Sequence, residues 1–236
     1  KPLLIDSFSC NTDAYPTVNC FFSIFDQNYN KLEHLVFGHS MIRLTEAGQP
    51  IEDVKIEKLD TSNVYTSTNI VMDLSTSMDA GDRIGRIKSV IQLFLDGVTI
   101  ESKNLIGLLT FADREYITQY PFDSNKHNIA NYVANMYTQG QCTALYEAIN
   151  TAVFNTSYNE VNGSKYVIVF TDGEENCSDF VSVDTLIQNA LQLGVTIYAV
   201  SEDNYSELAY IAESTNGSYT SIGNDYSLLQ QFFKNL

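Results

Sequence analysis

Ile70-Val71-Met72-Asp73-Leu74-Ser75-Thr76-Ser77-Met78 is the stretch whose reading decides the fold. The run from Asn69 to Met72 ends abruptly in a carboxylate, and two hydroxyls follow at alternate positions. A buried strand that stops in Asp-x-Ser-x-Ser carries several small oxygen donors to the carboxyl edge of a sheet, the edge where open α/β sheets bind ligands. Short oxygen donors with no His or Cys among them suit a hard cation such as Mg²⁺. The expectation is a divalent-ion-dependent binding domain, not an enzyme.

Downstream of this stretch, strand and helix patterns alternate. Ile84, Ile87, Ile91, Phe94 and Val98 recur with a 3.6-residue period, which predicts an amphipathic helix over Arg83 to Val98. Asn104 to Phe111 and Lys165 to Thr171 read as buried strands, and Glu115 to Gln119 as a short extra one. Helices are expected over Asn128 to Met136 and Thr143 to Phe154. A further helix, Ser182 to Leu193, is ended by Gly194. Val195 to Val200 is a strand, Tyr205 to Glu213 a helix, Ser218 to Ile222 a strand and Tyr226 to Phe233 a closing helix. Such alternation implies an α/β fold: a doubly wound, mostly parallel sheet with helices on both faces.

Residues 1–66 read differently, as a small β-rich segment. Val18 to Phe25, His39 to Leu44 and Ile51 to Leu59 have strand character, and Glu46-Ala47-Gly48-Gln49-Pro50 reads as a hairpin turn. Asp60 to Thr68 is polar and serves as a linker candidate. The expected division is therefore residues 1–66 and 67–236.

Composition narrows the partners. The formal net charge of −16 argues against nucleic acid and anionic membrane surfaces. No apolar run reaches the roughly 18 residues a membrane span needs. Starting at Lys1, the chain reads as a mature or trimmed form. Its four cysteines, Cys10, Cys20, Cys142 and Cys177, contain no C-x-x-C pair, and His34, His39 and His127 are scattered, so a zinc site is not expected. An even count fits either two disulfides in an oxidising compartment or four buried thiols.

Three segments expected at strand ends bear oxygen groups: Asp73-Leu74-Ser75-Thr76-Ser77, the loop Gln139 to Leu145 containing Thr143, and Thr171-Asp172-Gly173-Glu174-Glu175. Each has a plain structural reading. Ser75, Ser77 and Thr143 could cap helices, and Asp172-Gly173 could be an ordinary turn. Their order and strand context together favour a site. Asp73-x-Ser75-x-Ser77, a Thr at the start of a later helix, and Thr171-Asp172-Gly173 after a buried strand resemble the von Willebrand factor A domain over residues 67–236. Asp73 stands 70 residues before Thr143, and Thr143 stands 29 before Asp172.

The resemblance implies a metal-ion-dependent adhesion site, with Ser75 and Ser77 as direct ligands of Mg²⁺ (Mn²⁺ or Ca²⁺ as substitutes) and Thr143 as a switchable ligand. Asp73 and Asp172 would act through water or by holding the hydroxyls. The open position would take an Asp or Glu carboxylate from a protein partner. Cys142 and Cys177 would lie on the same edge, where a disulfide would tie two site loops together. Glu174 and Glu175 read as a solvated acidic rim.

The amino-terminal segment, more loosely, resembles the β domain that precedes many bacterial secreted or lipid-anchored A domains. That suggests an extracellular or cell-surface location. Two other functional classes compete with this reading. A chelatase- or protease-type intracellular assembly would be favoured by free thiols. A Mg²⁺-dependent phosphatase would need a second acid two residues after Asp73, where Ser75 stands.

Overall fold

The computed structural model describes residues 4–11, 19–27, 32, 45–46, 48–51, 54–55, 65–97, 104–159, 163–173 and 175–223. A six-stranded sheet dominates them. Its strands are β5 (Ser67–Asp73), β6 (Leu105–Phe111), β7 (Thr118–Asp123), β8 (Lys165–Thr171), β9 (Val195–Ser201) and β10 (Tyr219–Ser221), in the order β10-β9-β8-β5-β6-β7. All pairings are parallel except β6 with β7. The helices are α1 (Arg83–Gly97), α2 (Lys126–Asn135), α3 (Leu145–Ser157), α4 (Val183–Gln192) and α5 (Ser206–Ser214).

The pleat of the central strand sets the two layers, because successive side chains point to opposite faces. Ile70 and Met72 face a core built with Ile87, Ile91 and Phe94 of α1 and with Ile129 and Val133 of α2. Val71 faces the opposite core, built with Leu145, Ile149 and Val153 of α3, Leu186 of α4, and Leu208 and Ile211 of α5. Every residue of β5 is buried, which is why it reads as an apolar run rather than an alternating strand.

The polar residues of β5 are satisfied inside this layer. The Asn69 amide donates to Gln119 Oε1 at 2.8 Å, and Asn159 donates to Ser67 Oγ at 2.9 Å. Gly107 lies alongside, where an added Cβ would stand 2.8 Å from the Phe122 ring.

Several expected boundaries shift, each for a structural reason. The strand expected over Glu115 to Gln119 lies at Thr118–Asp123, and Arg114–Tyr116 forms a 3₁₀ turn instead. Thr110 pairs with Thr118, so the residues between them are consumed by the chain reversal. Pro121 is tolerated in β7 because that strand is at the sheet edge. Ser67 and Thr68, expected in the linker, belong to β5, held by register pairs to both β6 and β8. The helix expected from Thr143 starts at Leu145.

In the amino-terminal segment, β1 (Leu4–Asn11) pairs antiparallel with β2 (Asn19–Phe25), setting Cys10 opposite Cys20, and Cys20 is disulfide-bonded. β1 had no counterpart in the sequence reading. The hairpin at Glu46 to Pro50 is present, with arms β3 (Thr45–Glu46) and β4 (Gln49–Pro50) and Gly48 at φ 80°. Ile51, Val54 and Lys55 lie outside any strand. The rest of the Ile51 to Leu59 strand, the His39 to Leu44 strand and the Tyr226 to Phe233 helix fall outside the described residues. Among the described residues, no helix is long and apolar enough to cross a membrane.

Candidate functional site

The strand order reverses direction at β5. Its chain successor β6 lies on one side and β8 on the other, so the crevice at the carboxyl ends of β5 and β8 is the topological switch point. Asp73 ends β5, and Asp172 follows the last residue of β8.

Asp73 is fully buried. Its Oδ1 accepts from the Ser75 backbone N–H at 2.8 Å, and its Oδ2 accepts from Thr171 Oγ1 at 2.6 Å. Ser75 Oγ and Ser77 Oγ are 2.9 Å apart. Ser77 Oγ donates in turn to Asp172 Oδ1 at 3.1 Å. Four of the five expected residues thus lie on one hydrogen-bonded string, joined by the Ser75 backbone N–H and the two serine hydroxyls, that bridges the ends of β5 and β8. Ser75 occupies the N-cap position of the 3₁₀ segment Thr76–Asp82 but makes no side-chain cap bond. The serine hydroxyls point along the string, against the capping alternative.

Burial has an electrostatic cost here. Desolvation pushes the Asp73 carboxyl up to about 6, opposed by the hydrogen bonds from Thr171 and Ser75, with a small further push from Asp172. Carboxyls displaced in this way by burial cluster at functional sites.

Thr143 is buried, and its backbone joins it to the same edge. Its N–H donates to Asn176 Oδ1 at 2.8 Å, and its carbonyl accepts from the Asn176 N–H at 3.2 Å. Contrary to the expectation of a strand end, the Thr143 loop connects α2 to α3. It reaches the edge because it is stitched there. Gln139 N–H donates to the Leu74 carbonyl at 2.7 Å and Ala144 N–H to the Ala112 carbonyl at 2.8 Å. Asp113 Oδ1 accepts from the N–H groups of Gln141 and Cys142 at 2.8 and 2.6 Å. Gly140, at φ 71°, passes so close that an added Cβ would stand 2.8 Å from Asp113 and from Ala112. The N-cap of α3 is Ala144 and not Thr143, so the Thr143 hydroxyl is not the helix cap.

Cys142 and Cys177 form a disulfide across the two loops. Asp113 lies beside their sulfurs. Sulfurs joined in a disulfide are not thiolate ligands, so this group is a structural knot and not a second metal centre.

Three site features escaped the sequence reading. Glu175 is no solvated rim. Its Oε1 accepts from Cys177 and Ser178 N–H at 2.7 and 2.5 Å, and its Oε2 accepts from Tyr146 N–H in the first turn of α3 at 2.9 Å. It caps that helix from a distant loop. Glu174 lies outside the described residues. Asn176 positions Thr143. Arg83, the first residue of α1, donates to Asp172 Oδ2 at 2.8 Å. Only Arg83 had a local signal, a cation at a helix start, where the macrodipole disfavours it.

The donor set suits a hard divalent cation. All of its side-chain groups are oxygens, and the 2.9 Å between the two serine hydroxyls matches the edge of an octahedron with metal–oxygen bonds near ~2.1 Å, about 3.0 Å.

Comparison with known proteins identifies the family. The family model described as von Willebrand factor type A domain matches residues 69–235. The chain is 28% identical over 156 residues to calcium-activated chloride channel regulator 1 of Bos taurus, covering 63% of this chain and 16% of that protein. It is also 28% identical over 138 residues to calcium-activated chloride channel regulator 3A-1 of Mus musculus, covering 53% of this chain and 14% of that one. The chain therefore spans only a small fraction of these relatives.

Among solved structures, it superposes on BatB from Bacteroides thetaiotaomicron with a TM-score of 0.61 at 21% identity, covering 72% of this chain and 96% of that one. It superposes on proximal thread matrix protein 1 of the mussel byssus, whose structure carries a zinc-occupied MIDAS motif, with a TM-score of 0.62 at 23% identity, covering 73% and 46%. These structural likenesses speak to the fold. With the family model covering the whole alternating part of the chain, the protein belongs to the von Willebrand factor type A domain family.

Proposed function

We propose that this protein is a divalent-metal-dependent protein-binding module for adhesion or assembly, and not an enzyme. The observation that carries the reading is the string Asp73–Ser75–Ser77–Asp172 at the switch point, with its hydroxyls spent on one another and on a carboxylate rather than on caps. Ser75 and Ser77 would hold the ion through their hydroxyls, and Thr143 would complete the set from the α2–α3 loop. Asp73 and Asp172 would orient the hydroxyls and hold coordinated water. Mg²⁺ fits an all-oxygen set that retains waters, and Mn²⁺ or Ca²⁺ could replace it. Mostly neutral direct donors leave the ion electrophilic, so that a partner's Asp or Glu carboxylate could take an open position.

A phosphatase reading has no acid–base residue, because Ser75 stands at the second position. The intracellular-assembly alternative is disfavoured by the Cys142–Cys177 disulfide, since such bonds persist in oxidising compartments. The same bond supports an extracellular or cell-surface location. A bacterial source rests only on the amino-terminal resemblance. The net charge of −16 is the ground for excluding nucleic acid as a partner.

The test is calorimetric titration of the native chain and of Ser75→Ala with Ser77→Ala, using Mg²⁺ and Mn²⁺. Binding by the native chain and its loss in the double variant, with circular dichroism unchanged, is the expected result. A native chain that binds neither ion at millimolar concentration would leave the hydroxyls as scaffold and end the metal reading.

A further inference from the structure

Arg83 breaks a local rule. It opens α1, where no acidic residue occupies the first turn, and a cation there opposes the positive end of the helix macrodipole. Residues that break a local preference need a compensating gain elsewhere, and three carboxylates supply it. Arg83 Nη1 donates to Asp172 Oδ2 at 2.8 Å, its Nε pairs with Glu202, and its Nη2 lies 3.8 Å from Asp203 Oδ2. Glu202 also pairs with Arg86, which anchors the far side of the cluster. A cavity of about 370 Å³ opens against these groups beside the switch point, so the guanidinium is partly exposed while the Asp172 carboxylate is almost entirely covered.

The two oxygens of Asp172 are therefore divided. Oδ1 accepts from Ser77, and Oδ2 is occupied by a guanidinium that never gives up its charge. We propose that Arg83 is a positioning residue of the metal site, which confines Asp172 to its Ser77-facing oxygen and offsets part of the site's carboxylate charge. The inference rests on the metal-binding reading above and deepens it. A site of two carboxylates would hold a divalent ion more tightly but would quench its attraction for a third. With Arg83 in place the site gives up ion affinity and keeps the ion's positive charge available to an incoming carboxylate. A simple structural tie makes the opposite prediction, because loosening Asp172 would then weaken ion binding.

The experiment uses the full chain, Mn²⁺ as the ion and acetate as the carboxylate probe. Calorimetry reads Mn²⁺ affinity, and the water-proton relaxivity of bound Mn²⁺ reads displacement of its water by acetate. Arg83→Gln is expected to bind Mn²⁺ roughly tenfold more tightly, the order set by one like charge a few ångström from a divalent ion. Its acetate affinity is expected to fall severalfold. Arg86→Gln, which loses contacts to Glu202 and to the Gly81 carbonyl but makes none to Asp172, is expected to shift both readings far less than Arg83→Gln. Arg83→Lys keeps the charge but cannot bridge Asp172 and Glu202 with one planar fork, so it should lie between native and Gln. If Arg83→Gln does not fold, Arg83→Lys decides the matter: tighter Mn²⁺ binding supports the proposal, and equal or weaker binding overturns it. A folded Arg83→Gln that binds Mn²⁺ no more tightly than the native chain overturns this inference alone. A native chain that binds no Mn²⁺ overturns the metal reading, and this inference with it.

Discussion

Asp73→Asn is expected to make the metal-free protein more stable at neutral pH while abolishing ion binding. The folded protein holds the Asp73 proton up to about 6, against an ordinary value of 3.8. Between those values the folded state binds more protons than the unfolded chain, so stability falls as pH rises through this window. The difference of about two units corresponds to about 3 kcal/mol of destabilisation at pH 7, at roughly 1.4 kcal/mol per unit. An Asn keeps an acceptor for the Ser75 N–H but cannot accept from Thr171 Oγ1 as the carboxylate does, a loss of about 1 kcal/mol. The expected net gain is about 2 kcal/mol at pH 7, shrinking towards zero or reversing by pH 4.

The assay is urea unfolding of both proteins in chelator at pH 4, 5, 6 and 7, read as the difference between them so that other carboxylates cancel. Added Mn²⁺ should then stabilise the native chain and not the variant, by about 2.7 kcal/mol at one hundred times the dissociation constant. A stability difference that stays constant from pH 4 to pH 7 would refute the reasoning, because it would mean that Asp73 ionises normally in the fold.

Two further outcomes follow from the loops and the sheet. Replacing both Cys142 and Cys177 by Ala removes a cross-link spanning 35 residues. Chain entropy puts that loss at about 4 kcal/mol, measurable as a lower urea midpoint. An unchanged midpoint would show that the Asp113 and Asn176 hydrogen bonds alone hold the loop. At Gly217, an added Cβ would lie 1.9 Å from the Ile197 carbonyl oxygen of β9. Gly217→Ala is therefore expected to cost about 2–4 kcal/mol, as backbone strain does, and a thermal midpoint within a degree of native would contradict the packing of α5 and β10 on that strand.

How much of this could be read in advance differs from residue to residue. β5 and the oxygen groups after it were legible because a strand buried on both faces needs an apolar run, and the change to Asp, Ser and Ser is local. α1 was legible because its apolar stripe has the helical period. The strand β7 was misplaced, since Tyr116 and Ile117 look like strand residues and only the pairing of Thr110 with Thr118 assigns them to the turn. Glu175 was misread for a related reason: an exposed-looking acid in a loop has no local mark showing that it caps a helix beginning 30 residues earlier.

The sequence by itself determined the α/β class, the order of its elements, the family resemblance and the identity of the oxygen groups that could hold a cation. These rest on periodicity and short-range pattern, which act along the chain. The tertiary structure alone decided that Asp73, Ser75, Ser77 and Asp172 form one hydrogen-bonded string and that Thr143 is held to it by Asn176, Asp113 and a disulfide. It also decided that Arg83 occupies half of Asp172. Those facts depend on residues up to 98 positions apart meeting across a sheet edge, and such meetings are set by strand order and register, which no local pattern encodes.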